Sequence, residues 1–139
     1  MEDARLIQAA FEAREHSYSP YSHFRVGAAL LTAQGKIYTG CNVESASYSP
    51  TCCAERVALF TAVAAGEREF SAIAIVGGPE DGPTDYTPPC GVCRQALAEF
   101  CDPGSFRVVL ARDRQTPPRI YRLEELLPLA FTPKNLQRP

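Results

Sequence analysis

The sequence carries Cys53-Ala54-Glu55 and, 34 residues after that glutamate, Pro89-Cys90-Gly91-Val92-Cys93. Cys90 and Cys93 are three residues apart, so at the start of a helix both side chains can reach one metal ion. Together with Cys53 they supply three thiolates and leave one corner of a tetrahedral zinc site open. Structural zinc sites usually close all four corners, whereas catalytic sites keep one for water. The spacing therefore predicts a catalytic zinc site and a hydrolytic reaction.

Glu55 is the candidate acid and base of this site. It follows Cys53 by two residues, roughly 200° around a regular helix, and is therefore a poor second ligand to the same ion. From the first helical turn it can still reach a water molecule at the site and move its protons. Three thiolates leave a zinc centre with a net charge of about −1. We expect Arg56 and Arg94 to offset that charge.

The pair of motifs resembles the zinc-dependent nucleoside and nucleobase deaminase superfamily, whose signature often has histidine in the first position. The form with three cysteines, together with residues 24–29, 40–48 and 124–131, resembles the small homotetrameric cytidine deaminases. The resemblance runs from about Tyr18 to Phe131, nearly the whole chain. It implies an α/β fold, a three-layer sandwich with a mixed β-sheet flanked by helices, and a single domain over residues 1–139.

The resemblance also implies the reaction and its cofactor. The expected activity is hydrolytic deamination of cytidine and 2′-deoxycytidine to uridine and 2′-deoxyuridine with release of ammonia, a step of pyrimidine salvage. Zn²⁺ would be held by Cys53, Cys90 and Cys93, Glu55 would be the catalytic residue, and Arg56 would support the charge of the zinc centre.

Six residues are implied to bind substrate. Asn42 and Glu44 match residues that bind the ribose hydroxyls in the family, and Phe24 matches one that lines the pocket. The backbone N–H of Ala54, at a helix start, is a plausible partner for the pyrimidine carbonyl. The counterparts of Tyr48 and Phe131 complete the site of a neighbouring subunit. The resemblance therefore implies a homotetramer whose active sites are shared between subunits.

The chain departs from the family pattern at two positions. Pro88 stands where the family often has serine, so only its backbone carbonyl could face the leaving amine, and Val92 replaces a smaller residue.

Two alternative functions stay open. One alternative is another deaminase on the same fold, of the blasticidin type or acting on a base. The other is a non-catalytic zinc or thiol module, which would need a fourth protein ligand. Cys52, the obvious candidate, points away from Cys53 on a helix or a strand.

Bulk properties agree with a compact cytoplasmic domain. The chain has 139 residues and 45% hydrophobic content, enough for one core. Its acidic first residues lead into an amphipathic segment, which predicts neither a signal peptide nor a membrane span. The net charge is −2 and the basic residues are scattered, which argues against nucleic acid as a partner. Without a signal peptide, metal binding explains the cysteines better than disulfides, and Cys41, Cys52 and Cys101 are expected to be inert buried thiols.

Hydrophobic periodicity predicts helices and strands in alternation, with the chemistry at the two helix starts. Asn42 and Glu44 are expected to alternate on a strand and so to share one of its faces. The predicted helices cover residues 3–16, 53–66, 90–100 and 123–127, and the predicted strands cover residues 24–32, 36–43, 72–76, 106–111 and 119–121.

Overall fold

The structure, a computed structural model, describes residues 2–136, with side chains described from Asp3 onward. Met1 and residues 137–139, which are the ends of the expected domain 1–139, lie outside the described residues. The elements in chain order are α1 (Glu2–Arg14), β1 (Phe24–Thr32), β2 (Ile37–Cys41), α2 (Ala54–Ala64), β3 (Phe70–Pro79), α3 (Gly91–Phe100), β4 (Arg107–Leu110), β5 (Arg119–Arg122), α4 (Leu123–Leu126) and a 3-10 turn (Pro133–Leu136).

The strands form one mixed sheet in the order β2-β1-β3-β4-β5. β1 pairs antiparallel with both β2 and β3, β3 pairs parallel with β4, and β4 pairs antiparallel with β5. The hairpin between β1 and β2 turns at Gly35, whose φ of 95° lies in the left-handed region that glycine adopts without steric cost. The mixed sheet predicted from the sequence is confirmed.

Helices cover the two faces of the sheet, which gives the expected three layers. Successive side chains of a strand point to opposite faces, and the core divides accordingly. Ala28 and Leu30 of β1 lie in the cluster with α2 and α3, whereas Ala29 and Leu31 lie in the cluster with α1. β3 is buried on both faces, as its continuous apolar run predicts.

The topology places the starts of α2 and α3 at the same edge of the sheet. β2, β3 and β4 all run in one direction, because β1 is antiparallel to β2 and β3 while β3 is parallel to β4. α2 connects β2 to β3 and α3 connects β3 to β4, so the chain crosses the sheet twice in the same direction. Since such crossovers are right-handed, both helices lie on one face and both begin above the carboxyl ends of the strands. Cys53 and Cys90 are brought together in this way.

Several element boundaries differ from the prediction. β3 extends to residues 70–79 because Phe70 pairs with Thr32 and Pro79 pairs with Phe24. β2 ends at Cys41 rather than at residue 43, since the chain leaves the ladder there and forms only isolated bridges at Val43. The expectation that Asn42 and Glu44 alternate on a regular strand is therefore wrong. None of the helices within residues 2–136 has the length and apolar character needed to cross a bilayer.

Candidate metal centre and pocket

Both Cys53 and Cys90 are N-cap residues. Cys53 (φ −71°, ψ 153°) precedes α2, and Cys90 (φ −68°, ψ 168°) precedes α3. Neither side chain accepts a capping hydrogen bond from the backbone N–H groups of its own helix, so both sulfurs can face another group. Cys93 lies in the first turn of α3 and is fully buried. Backbone N–H groups without intrahelical acceptors and the positive end of the helix dipole favour thiolates at such positions.

The three sulfur atoms form a compact triangle. Sγ of Cys90 lies 3.8 Å from Sγ of Cys53 and 3.5 Å from Sγ of Cys93, and all three atoms lie within 4.8 Å of one another. A tetrahedral zinc site with Zn–S bonds of about 2.3 Å places its sulfurs about 3.8 Å apart. The spacing of the cluster therefore fits zinc, and Cys53, Cys90 and Cys93 would hold the ion.

The sulfurs also affect one another's acidity. The hydrogen bond with Cys93, together with those from Arg56 and Cys90, lowers the pKa of Cys53 to about 5. The same contact with Cys53, together with burial, raises the pKa of Cys93. All six cysteines of the chain are free thiols.

Glu55 lies beside the sulfur cluster in a pocket of about 300 Å³. Its side chain is 4% exposed, and burial raises its pKa to about 7. A buried carboxyl group that titrates near neutral pH is suited to give and to take protons. Of the residues predicted from the sequence, Phe24, Asn42, Glu44, Cys53, Ala54, Glu55 and Cys90 line this pocket.

Comparison with known proteins agrees with this site. Residues 1–110 match the family model described as the cytidine and deoxycytidylate deaminase zinc-binding region. The chain belongs to the cytidine and deoxycytidylate deaminase family. It is 47% identical to a cytidine deaminase of Sporosarcina psychrophila over 98% of this chain and 96% of that protein, and 45% identical to one of Halalkalibacterium halodurans over 98% of each.

Solved structures of cytidine deaminases share the fold. The structure from Burkholderia pseudomallei is 51% identical in sequence, with a TM-score of 0.83 over 94% of this chain and 100% of that one. The structure from Mycobacterium tuberculosis is 37% identical, with a TM-score of 0.77 over 94% and 98% of the two chains. The family membership and fold expected from the sequence are therefore confirmed. The sulfur cluster lies within the residues that match the family's zinc-binding region.

Asn42 and Glu44 lie together at the pocket although they follow β2 instead of continuing it. The Asn42 amide donates to the carbonyl of Phe24 (2.8 Å), and its oxygen accepts from Val26 N (2.9 Å) and from Ser17 Oγ (2.5 Å). One N–H of the amide then remains for a ligand. The Glu44 carboxylate accepts hydrogen bonds from the turn that precedes β1.

Tyr48 and Phe131 are placed differently from the other candidates. Tyr48 is 70% exposed, contacts Tyr21 edge to face with ring centroids 6.1 Å apart, and lines an adjoining cavity of about 390 Å³. Phe131 is 59% exposed, and its carbonyl accepts a hydrogen bond from Gln95 (2.8 Å). Phe131 is not among the described residues that line its own chain's pocket. Both rings thus present apolar surface outward.

Four pocket-lining residues were not singled out from the sequence: Ser22, Val26, Thr51 and Thr87. Ser22 lies in the segment Tyr18–Phe24, whose serines and proline mark a turn, and this was the available signal. Cys52 also lines the pocket and is only half-buried, as is Cys41, whereas Cys101 is buried as expected. Cys52 lies outside the sulfur triangle.

The two arginines have different environments. Nη2 of Arg56 lies 3.5 Å from Sγ of Cys53, and its buried Nε has no hydrogen-bond partner among the described residues. Arg94 instead donates to the carbonyls of Pro89 (2.8 Å) and Leu126 (2.7 Å). Arg56 therefore faces the cluster directly, while Arg94 secures the loop before α3.

Replacing Arg56 tests its contact with Cys53. We expect Arg56→Ala to lower kcat about tenfold, because a positive charge that favours the thiolate is removed while ligands and Glu55 stay in place. Arg56→Lys retains the charge and should recover part of the loss. Steady-state kinetics and zinc analysis of both variants, with the exposed Arg68→Ala as control, measure the effect. Unchanged kcat in Arg56→Ala would show that the charge of Arg56 does not contribute to catalysis.

Proposed function

We propose that this protein deaminates cytidine and 2′-deoxycytidine hydrolytically to uridine and 2′-deoxyuridine with release of ammonia. The observation that carries the proposal is a buried Glu55 beside three converging sulfurs, in a pocket that also contains Asn42 and Glu44. Relatives named cytidine deaminase, 40–47% identical over at least 93% of the chain, support it. The nucleoside substrate follows from that activity.

We infer the roles of the pocket residues from their chemistry and from their place in the pocket. Zinc held by Cys53, Cys90 and Cys93 would supply the Lewis acidity that makes a water molecule nucleophilic near neutral pH. Glu55 takes a proton from that water and delivers it to ring N3 of the base while the water oxygen bonds to C4. It then carries the remaining proton of that oxygen to the amino group, which leaves as ammonia when the C4–N bond breaks. The N–H of Ala54 has no intrahelical acceptor at its position and donates to the pyrimidine carbonyl at no side-chain entropy cost. The Pro88 carbonyl faces the leaving amine.

Asn42 and Glu44 bind the sugar in this proposal, and Phe24 packs against the nucleoside. A carboxylate accepts from a sugar hydroxyl, and the remaining N–H of the Asn42 amide donates to one. A hydroxyl placed between them satisfies both groups. The pair therefore favours a nucleoside over the free base.

An absorbance assay tests the proposed reaction. Purified protein incubated with cytidine or 2′-deoxycytidine should produce the fall in ultraviolet absorbance that accompanies conversion to the uridine product, whereas cytosine should react far more slowly. One relative, 30% identical over 94% of the chain, is named blasticidin-S deaminase. Turnover of blasticidin S without turnover of cytidine would therefore contradict the proposal, as would zinc-loaded protein that leaves every one of these compounds unchanged.

We also propose that four chains share their active sites. Tyr48 and Phe131 carry exposed aromatic surface, and in this assembly they close the pocket of a neighbouring subunit. Most soluble oligomers are homo-oligomers with closed point-group symmetry. We further propose that the chain acts as one domain, in the cytoplasm and in pyrimidine salvage, without nucleic acid or membrane as a partner. The scattered basic residues and net charge of −2 support the last point.

Mixing two inactive variants tests the shared site. Glu55→Gln chains lack the acid and base, and Phe131→Ala chains lack the aromatic ring. If Phe131 acts across an interface, hybrid tetramers contain sites with an intact Glu55 and a neighbour's intact Phe131, and activity should rise well above the sum of the separate samples. Action within one chain predicts no gain from mixing. Light scattering of active protein should give about four chains, and a fully active monomer would contradict the assembly.

A further inference from the structure

The turn between α1 and β1 holds the Glu44 carboxylate. Glu44 Oε1 accepts from the backbone N–H groups of Tyr21 (3.0 Å) and Ser22 (3.1 Å), and Oε2 accepts from Ser22 Oγ (2.5 Å). Ser22 therefore makes two of the three contacts, and its hydroxyl is the main reason that the pKa of Glu44 is lowered. Ser22 lines the pocket with Glu44.

The backbone fixes this turn at both ends. Tyr18 N donates to the carbonyl of Asn42 (3.0 Å), and Glu44 N donates to the carbonyl of Tyr18 (2.9 Å). At the other end, the backbone carbonyl of His23 accepts a hydrogen bond from Glu80 N (2.7 Å), and His23 has a φ of 58° in the left-handed region. The turn is thus tied both to the segment that carries Glu44 and to the end of β3.

The hydroxyl of Ser22 has a defined direction. Because an ionised carboxylate can only accept, the single hydrogen of Ser22 Oγ is directed to Glu44. Ser22 Oγ itself accepts a hydrogen bond from Phe24 N (3.1 Å). A carboxylate has about four acceptor sites, of which the turn occupies three. The remaining site is on Oε2, which accepts from no other described residue than Ser22.

We propose that Ser22 is a positioning residue, which orients Oε2 of Glu44 toward a sugar hydroxyl of the nucleoside. The inference rests on the proposed function, because it requires Glu44 to bind the sugar. Without the hydroxyl, Oε1 keeps its two N–H donors, but Oε2 loses its only partner in the turn and samples other orientations. The loss then falls on binding of the sugar and leaves the proton transfers at the base intact.

Pairs of ligands with and without ring hydroxyls separate this role from a general effect on the pocket. For Ser22→Ala we expect KM for cytidine and the inhibition constant of uridine to rise about three- to tenfold, with kcat nearly unchanged. The inhibition constant of 2′,3′-dideoxyuridine, which lacks both ring hydroxyls, should not change. Ser22→Thr keeps the hydroxyl and should restore the affinity for uridine. Ser22→Cys, with a weak donor, should reproduce the selective loss if the alanine variant folds poorly.

Two comparisons make the outcome decisive. Ser22→Ala should add little to the effect of Glu44→Gln, because both act through one carboxylate. Ser105→Ala removes a serine hydroxyl that donates to the Asp102 carboxylate (3.0 Å) away from the pocket, and it should change neither ligand's affinity. An equal loss of affinity for uridine and 2′,3′-dideoxyuridine in Ser22→Ala would overturn the inference. Unchanged uridine affinity in Ser22→Ala, together with a clear loss of it in Glu44→Gln, would also overturn the inference. Unchanged uridine affinity in Glu44→Gln would overturn the sugar-binding role itself, and the inference with it.

Discussion

We expect Glu55→Gln to retain zinc and the fold and to lose on the order of 10²-fold to 10⁴-fold in kcat. Glutamine has nearly the shape of glutamate but cannot take up and release the proton that the reaction moves twice. Because Glu55 is 4% exposed and is not a ligand, its neutral replacement should leave the sulfur triangle in place. Steady-state kinetics with cytidine and metal analysis of the same preparation measure both parts of the expectation.

Glu99→Gln is the matched control, since Glu99 is an exposed residue of α3. It should keep both zinc and activity. A Glu55→Gln protein with near-normal turnover would show that another group moves the protons. A variant that loses zinc together with activity would instead place Glu55 among the groups that hold the metal.

Cys90→Ala should release the zinc and abolish activity. Cys90 caps α3 and contributes one of three sulfurs, and two remaining thiolates hold the ion far more weakly. Since metal binding and folding are coupled, the melting temperature should fall as well. Wild-type protein purified without added zinc should contain about one zinc per chain. Zinc analysis and thermal unfolding of both proteins, with and without a chelator, measure these effects.

Cys41→Ala serves as the control for Cys90→Ala. Cys41 is a half-buried thiol at the end of β2 and lies outside the sulfur triangle, so its replacement should leave the zinc content unchanged. Full activity in metal-free Cys90→Ala protein would contradict the catalytic role of zinc. A wild-type centre with four sulfur ligands in X-ray absorption would contradict it equally, since no position would remain for water.

The sulfur cluster was predictable from the sequence because zinc binding restricts both residue type and spacing. Cys90 and Cys93 had to share one helix face, and the structure places them in the cap and first turn of α3. The layers were equally predictable, because continuous apolar runs in β1 and β3 indicate that both faces of these strands are covered.

The part of the pocket that contains Asn42 and Glu44 was harder to predict from the sequence, for a physical reason. Asn42 and Glu44 follow β2 in irregular backbone, where no periodicity relates one side chain to the next. Their orientation depends on hydrogen bonds from Ser17 and Ser22, more than 20 residues earlier in the chain. Propensity cannot encode such contacts. Resemblance to the family identified the two side chains but gave no indication of the turn that holds them.

The common edge from which α2 and α3 begin has a consequence for how this protein can diversify. The proposed hydrolytic groups lie at helix starts that the sheet topology fixes, whereas the residues proposed to bind the sugar lie in irregular segments before β1 and after β2. Rigid elements tolerate little change, while loops accept substitution and insertion readily. Mutation in those two segments can therefore alter which ring substituent is accepted while the hydrolytic apparatus is inherited intact.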